Sequence, residues 1–121
     1  MLCIVGPKNN FNVCDYFSCT SVNVIYVIRC KRCGIIYIGE TKRRLADRIT
    51  EHLRSIRLKL KGHPVASHFN PPSPCRLCDF SVSGILHAKG GDHDRLVLEN
   101  RLIFKLGTLS PSGLNVEFDL L

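Results

Sequence analysis

Apolar residues cluster in three short runs that predict β-strands. Two of these runs are rich in Val, Ile and Tyr, as strands typically are, and they centre on the tripeptides Val24-Ile25-Tyr26 and Tyr37-Ile38-Gly39. Residues 30–34 lie between them, so the pair is predicted to form a hairpin. Residues 79–83 alternate between polar and apolar side chains and continue to Leu86, which predicts a third strand.

The segment after the hairpin predicts an amphipathic helix. Its apolar residues follow an i, i+4, i+8, i+11, i+15 series that only a helix places on one side: Leu45, Ile49, Leu53, Ile56 and Leu60. Thr41 is the predicted N-cap, and Gly62 with Pro64 is the predicted stop. On a helical wheel Arg48 and His52 lie about 40° apart at the border of the apolar stripe. We therefore expect both side chains to face a cleft between helix and hairpin.

A second helix is predicted to begin at Asp92 or Asp94, as its cap, and to end at Gly107. Glu99 lies in the middle of its apolar arc, whose other members are Leu96, Leu102, Ile103 and Leu106. A carboxylate buried without a partner costs several kcal/mol, so Glu99 should be ion-paired, protonated or bound to a metal. Two interpretations are open, an internal pair with a nearby Arg and a ligand of a divalent cation.

These elements predict an α+β fold, with a small antiparallel sheet of about three strands flanked by helices. At 121 residues the chain is long enough for one modest core. Residues 1–21 are expected to be an irregular lead-in, with an edge strand as an option at residues 12–17, and residues 22–121 to form the domain. Between the helices, residues 65–69 predict one short helical turn in a Pro-rich connection, and residues 116–121 a short apolar end.

Charge is concentrated around the junction of hairpin and helix. The net charge is +7, and residues 29–61 hold eleven Lys and Arg against three acids. Such an excess either solvates a helix face or forms a surface that binds phosphate. No run approaches the roughly 18 apolar residues of a membrane span, and no secretory signal is visible. We therefore expect no membrane partner and a reducing compartment, nuclear or cytoplasmic.

Two Cys-x-x-Cys pairs lie among the seven cysteines, one at Cys30 and Cys33 and the other at Cys75 and Cys78. In a reducing compartment such pairs predict a zinc site, because two thiolates at this spacing converge on one cation. The alternative is a set of buried free cysteines. On spacing alone His68 is more often a partly buried structural histidine than a ligand. Cys3, Cys14 and Cys19 show no ligand spacing and are assigned no chemistry.

The order strand, strand, helix with Tyr26, Tyr37, Arg48 and His52 resembles the GIY-YIG nuclease domain. Val24 stands where the motif has its first Gly. Within that superfamily the sequence looks closest to the endonuclease domain of Penelope-like retroelements. That likeness rests on these segments: Tyr37-Ile38-Gly39-Glu40-Thr41, Val65-Ala66-Ser67-His68-Phe69-Asn70, Glu99 and Gly113-Leu114-Asn115.

The resemblance implies a DNA endonuclease that hydrolyses a phosphodiester bond. Tyr26 would receive the proton of the attacking water, Tyr37 and His52 would complete its network, and Arg48 would hold the scissile phosphate. Glu99 would bind one Mg²⁺ or Mn²⁺. The remaining implied site residues are Asn115, as a polar support, and Lys42, Arg43 and Arg44, which with Arg48 would contact DNA. A reverse transcriptase in a parent polyprotein is the further partner that the likeness suggests.

The same resemblance implies a structural zinc site inserted in the fold. Its expected ligands are Cys30, Cys33, His68 and Cys75, with Cys78 as the rival fourth ligand. Two other functions stay open. One is a zinc-stabilised DNA-binding module without catalysis, and the other is a zinc-ribbon-like domain that binds protein.

Overall fold

The computed structural model describes residues 2–13 and 16–116. Its strands are β1 (Leu2–Val5), β2 (Asn10–Val13), β3 (Val24–Cys30), β4 (Ile36–Thr41) and β5 (Phe80–His87). Its helices are α1 (Leu45–Arg57), α2 (Pro64–His68) and α3 (Asp92–Leu106), with a 3₁₀ turn at Leu77–Asp79. The predicted α+β class is confirmed. None of these described helices is both long and apolar enough to cross a membrane.

The central sheet has three antiparallel strands in the order β4, β3, β5. β3 lies in the middle because its residues are apolar on both faces. Tyr26 of β3 pairs with Gly39 of β4 on one side and with Gly84 of β5 on the other. The register between β3 and β5 shifts between Ile25 and Tyr26, as in a β-bulge. The tyrosine therefore stands in a row whose two neighbours carry no side chain.

Each face of the sheet is covered by a different set of elements. Alternate residues of β3, among them Tyr26 and Ile28, pack against α1 and α2. The intervening residues Ile25 and Val27 pack against α3 and the β1–β2 hairpin. This alternation follows from the two-residue period of a strand, and it leaves β4 as an edge strand between the two sets of helices.

The expected irregular lead-in is wrong for residues 2–13, which form an antiparallel hairpin. Its turn caps the end of α3, where the N–H of Lys8 donates to the carbonyl of Leu106 at 3.0 Å and Asn9 Nδ2 to that of Lys105 at 3.0 Å. The last carbonyls of a helix have no partner within it, so the hairpin supplies donors that they lack. The optional edge strand at 12–17 is not found in its described part, because β2 ends at Val13 and pairs with β1. The boundary at residue 22 stays a prediction.

The first helix is shorter than predicted at both ends. Thr41 is not its N-cap but the last residue of β4, where its Oγ1 accepts the N–H of Arg43 at 3.1 Å. The helix begins at Leu45 and ends at Arg57, before Lys59 adopts a φ of 53°. Leu60 lies beyond that end and is 39% exposed, so it is not part of the buried stripe.

The second predicted helix is α3, and its span agrees with the prediction. Gly107 follows it in the left-handed conformation with φ of 73°. Its N-cap is Gly91 and not Asp92 or Asp94, although Asp94 Oδ2 accepts the N–H of Gly91 at 3.1 Å. The chain then returns to the sheet, where the N–H of Leu114 donates to the carbonyl of Ile36 at 2.8 Å. Residues 117–121, which contain most of the predicted apolar end, lie outside the described residues.

Candidate active site

Two tyrosines and a histidine meet on the face of the sheet that carries α1. Tyr26 Oη lies 2.7 Å from His52 Nε2, a hydrogen bond between β3 and α1. The His52 ring also packs edge to face on both phenols, with centroids 5.8 Å from that of Tyr26 and 5.6 Å from that of Tyr37. The sheet register brings the tyrosines together, and the position of His52 at the edge of the apolar stripe turns it toward them.

Gly39 leaves the space that the Tyr26 ring occupies. A Cβ on Gly39 would lie 2.4 Å from both Cζ and Oη of Tyr26, far inside van der Waals contact. The glycine of the Tyr-Ile-Gly tripeptide is therefore required by close packing across the strand pair and not by its own backbone angles.

Arg48 lies one helical turn before His52 and is the cation of this site. Its guanidinium bonds Glu51 at 3.1 Å, and its side chain is 31% exposed. Burial lowers the pKa of Arg48, but the neighbouring Tyr26 and Tyr37 phenols, together with Glu51, outweigh burial and raise it. Arg48 thus stays charged next to both phenols and partly open to solvent.

Glu99 of α3 is the buried acid that acts on Tyr26. It is only 5% exposed, as its place in the apolar arc predicts. Its charge is one of the groups that raise the pKa of Tyr26. Arg95, one turn earlier, bonds Glu40 and, at 2.7 Å, Asp92. The predicted acid is therefore buried, and its charge acts on the predicted tyrosine.

Burial keeps both partners of the Tyr26 hydrogen bond neutral. Burial, followed by the charges of Tyr37 and Glu99, raises the pKa of Tyr26 well above its ordinary value, although Arg48 opposes the shift. Burial and the charge of Arg48 lower the pKa of His52 to about 4. At neutral pH the Tyr26 hydroxyl and the His52 imidazole are therefore both uncharged, and the hydrogen bond between them joins two neutral groups.

A cavity of about 400 Å³ opens beside this cluster, between α1 and α2. Tyr37, Arg48 and His52 line it, whereas Tyr26 is fully buried behind them. Arg48 acts on Tyr26 mainly through its charge, which lowers the pKa of that phenol. The phenol that faces the cavity in this conformation is Tyr37.

Asn115 lies beside the site but is occupied by other groups. Its Nδ2 donates to the carbonyl of Ile38 at 2.8 Å, and its Oδ1 accepts the N–H of Ile38 at 2.9 Å and the hydroxyl of Thr108 at 2.8 Å. Because Ile38 stands between Tyr37 and Gly39, these bonds hold β4 in place. This geometry makes Asn115 a positioning residue for the strand, and its expected role as a polar support at the edge of the site stays a prediction.

The basic residues expected to contact DNA lie at the start of α1 and are partly paired. Arg43 bonds Glu51, and Arg44 bonds Asp47 at 3.1 Å. Lys42 and Arg43 line a second cavity of about 330 Å³, which Arg48 also borders. Arg48 therefore borders both the cavity beside the phenols and this second cavity.

The predicted zinc ligands Cys30, Cys33, His68 and Cys75 form one cluster, with one donor atom from each lying within 4.8 Å of the other three. A tetrahedral zinc site with ordinary bond lengths needs ligand atoms about 3.5 to 3.8 Å apart. Cys33 Sγ already lies 3.5 Å from His68 Nε2, so the donor set and its spacing fit zinc. Cys78 is exposed and lies outside the cluster, which removes it as the rival ligand.

The surroundings of Cys30 favour a thiolate. Burial alone would raise its pKa, but the N–H of Cys33, the thiol of Cys75 and the N–H of Arg32 outweigh burial and lower it. Such turned N–H groups are what the Cys-x-x-Cys spacing predicts. Burial and the neighbouring thiols raise the pKa of Cys75 to about 11, because nearby thiolates disfavour another negative charge. A cation between the thiols would remove that repulsion.

Two further residues of the cavity between α1 and α2, Arg54 and His63, carry no prediction from the sequence. Arg54 lies in the last turn of α1, and His63 directly precedes α2. Helical periodicity could not find His63, because it follows the break at Gly62. Only the folding of α2 against α1 brings it to the cavity.

The comparisons with known proteins agree with this geometry. Residues 22–107 match the model of the GIY-YIG catalytic domain. The structure is similar to that of the catalytic domain of the homing endonuclease I-TevI, with a TM-score of 0.64 and 18% sequence identity over 78% of this chain and 97% of that one. No curated protein matches the sequence. Since the family model covers more than half of the chain, the protein belongs to the GIY-YIG catalytic domain family.

Proposed function

We propose that this protein is a divalent-metal-dependent DNA endonuclease that hydrolyses a phosphodiester bond and produces a nick or a strand break. The observation that carries the proposal is the convergence around Tyr26, whose hydroxyl bonds His52 at 2.7 Å and whose pKa responds to Arg48 and Glu99. A binding module needs basic residues but has no use for a buried carboxylate next to a phenol. Membership in the family supports the same activity.

Tyr26 is the proposed acceptor of the proton of the attacking water. The water oxygen forms a bond to phosphorus while one ester P–O bond breaks, and the departing alkoxide takes a proton from solvent. Tyr26 passes its own proton to His52 Nε2, which is free to accept it because the imidazole is neutral at pH 7. Arg48 stabilises the charge that develops on the phosphate. A side-chain movement that opens the buried Tyr26 hydroxyl to the cavity is part of this proposal.

Tyr37 lines the cavity and is proposed to orient the water and the phosphate from the open side. Glu99 is the carboxylate that would hold one Mg²⁺ or Mn²⁺, ions that bind one or two carboxylates together with water and phosphate oxygens. When bound, the ion supplies positive charge that lowers the pKa of Tyr26 and neutralises the phosphoryl oxygens.

The Cys/His cluster is proposed to hold a structural zinc ion. It joins the end of β3 to α2 and to the connection that follows, three segments that also contribute to one hydrophobic core cluster. A cross-link of this kind contributes folding free energy directly. Elemental analysis of freshly purified protein tests the assignment, and we expect one zinc per chain.

The likeness to the Penelope-like endonuclease domain supports an origin in a retroelement. A reverse transcriptase in a parent polyprotein is then the proposed partner besides DNA. Free thiols at Cys30 and Cys75, both buried and unpaired as disulfides, fit the proposed nuclear or cytoplasmic compartment.

Nicking of supercoiled plasmid with Mg²⁺ or Mn²⁺, against a metal-free control, tests the activity. We expect Arg48→Ala and Glu99→Gln each to lose about 10²-fold or more, because each removes charge stabilisation of the transition state. Arg101→Ala removes the same charge from an exposed position on α3 and should stay near wild type. Wild-type nicking by Arg48→Ala or Glu99→Gln protein contradicts the proposal.

The second candidate, a zinc-stabilised DNA-binding module without catalysis, is favoured by one observation. Tyr26 is fully buried, and its pKa is raised rather than lowered. Tyr26→Phe separates the two functions, since it should abolish nicking but leave DNA binding intact if the phenol takes the proton. Wild-type protein that binds DNA and does not nick it with either metal identifies the binding module.

A further inference from the structure

The cavity between α1 and α2 extends well beyond the phenols. One end is formed by Tyr37, Arg48 and His52, and the other by Arg54 of α1 and His63 in front of α2. Arg48 and Arg54 are six residues apart, so they are separated by about 9 Å along the helix axis. The cavity is therefore longer than one phosphate group requires.

The far end of the cavity has cationic and donor groups that the catalytic cluster does not use. Glu51 is the acid in the lining, and it already bonds Arg43 and Arg48. Arg54 is exposed and forms no ion pair with any residue of the described segments 2–13 and 16–116. His63 is exposed too, and it is close enough to act on the pKa of His52. This end presents Arg and His groups with no acid of its own.

We propose that Arg54 and His63 form a second phosphate-binding site, which holds a DNA backbone phosphate near the scissile one. The inference rests on the proposed endonuclease function and adds a substrate contact to it. Backbone phosphates follow one another at short, regular intervals along a DNA strand, so a cavity whose cations lie about 9 Å apart along α1 can hold a second phosphate besides the scissile one. Arg54 neutralises the phosphate, and His63 donates a hydrogen bond to it from the facing wall.

The Cys/His cluster is linked to this second site through α2. His63 directly precedes the helix, whose residues 64–66 form the wall of the cavity. The last residue of the helix, His68, belongs to the cluster. Val65 and Ala66 of this five-residue helix pack in the core, and a zinc ion bound at His68 would fix its other end. Such an ion would thereby support DNA binding as well as folding.

The test measures binding of a duplex oligonucleotide by fluorescence anisotropy at several salt concentrations, without Mg²⁺ or Mn²⁺. Each phosphate contact contributes about 0.9 to the slope of log K against log salt. Arg54→Ala should weaken binding and reduce the slope by about 1, and His63→Ala should weaken binding with a smaller change of slope. Arg101→Ala, an equal loss of charge on α3 away from the cavity, should leave the slope unchanged. Circular dichroism and zinc content of each variant verify that the fold is retained.

Wild-type affinity and slope in the folded Arg54→Ala protein overturn the second site, and so does an equal change in Arg101→Ala. A duplex with a single methylphosphonate, placed in turn at each step around the mapped nick, refines the test. At one position the methylphosphonate should weaken DNA binding by the wild type but not by the Arg54→Ala protein. The absence of such a position also overturns the site. If the wild type binds but does not nick, the proposed activity fails while the salt slopes still decide the second site, with the methylphosphonate then scanned along the whole duplex.

Discussion

Gly39→Ala should damage the active site although it changes no polar group. The added Cβ would lie 2.4 Å from Cζ and Oη of Tyr26, whereas ordinary contact begins at about 3.4 Å. The ring must therefore move by about 1 Å. Its 2.7 Å bond to His52 lies in the path of that movement. Overpacking of a buried site costs about 1 to 3 kcal/mol, so we expect the free energy of unfolding to fall by that amount.

The rate of nicking should fall by more than the loss of folded protein alone would cause. A displacement of about 1 Å in a reacting group can cost about 10²-fold in rate, and Tyr26 is the proposed proton acceptor. Plasmid nicking, under conditions where urea denaturation shows the variant fully folded, measures the loss. Gly91→Ala is the control for the added methyl group, because its Cβ would meet no atom within 4 Å. It can lose some stability as the N-cap of α3, but the folded protein should nick like the wild type.

The cause is tested by a double-mutant cycle. In a Tyr26→Ala background the ring is absent, so the stability cost of Gly39→Ala should largely disappear. An equal cost in both backgrounds, or a Gly39→Ala protein that nicks like the wild type, refutes the reasoning.

Four other perturbations have definite expectations. Asn115→Ala leaves the buried N–H and C=O of Ile38 without their present partners, so the free energy of unfolding in urea should fall by about 2 to 4 kcal/mol. An unchanged urea midpoint would contradict this expectation. Deletion of residues 1–9 removes the donors that cap α3 and should lower the melting temperature by several degrees, while an unaltered melting curve argues for a dispensable hairpin. Zinc chelation should lower the melting temperature and weaken DNA binding together, and re-addition of zinc should restore both. Folding lowers the pKa of His52 from 6.5 to about 4, so the unfolded chain takes up the proton first as the pH falls. The free energy of unfolding should therefore decrease as the pH falls from 6.5 to about 4, and His52→Gln should flatten that dependence.

The zinc cluster illustrates what spacing can predict. Only two residues separate Cys30 from Cys33, so the convergence of their side chains is a local property. The fourth ligand is not local, since Cys75 and Cys78 have equal claims from spacing. The structure selects Cys75 because it is buried beside Cys30, whereas Cys78 enters the exposed 3₁₀ turn.

The boundaries of α1 illustrate where local signals fail. Thr41 is a good N-cap by residue type, but pairing with Val24 keeps it in β4. Leu60 continues the apolar period, yet the helix has already ended where Lys59 adopts a positive φ. The hairpin at residues 2–13 was missed for a related reason, because its strands are short and its turn is stabilised by the distant end of α3.

Local composition and periodicity determined the three strands of the central sheet, the two long helices and the presence of an acid on the buried side of α3. These properties depend on residues a few positions apart, so a wheel or an alternation contains them. Only the tertiary structure decided that the charge of Glu99 acts on Tyr26, that Gly39 makes room for the phenol, and that His63 reaches the cavity. Those relations arise where separate elements pack together, and a one-dimensional pattern holds no record of the distances between them.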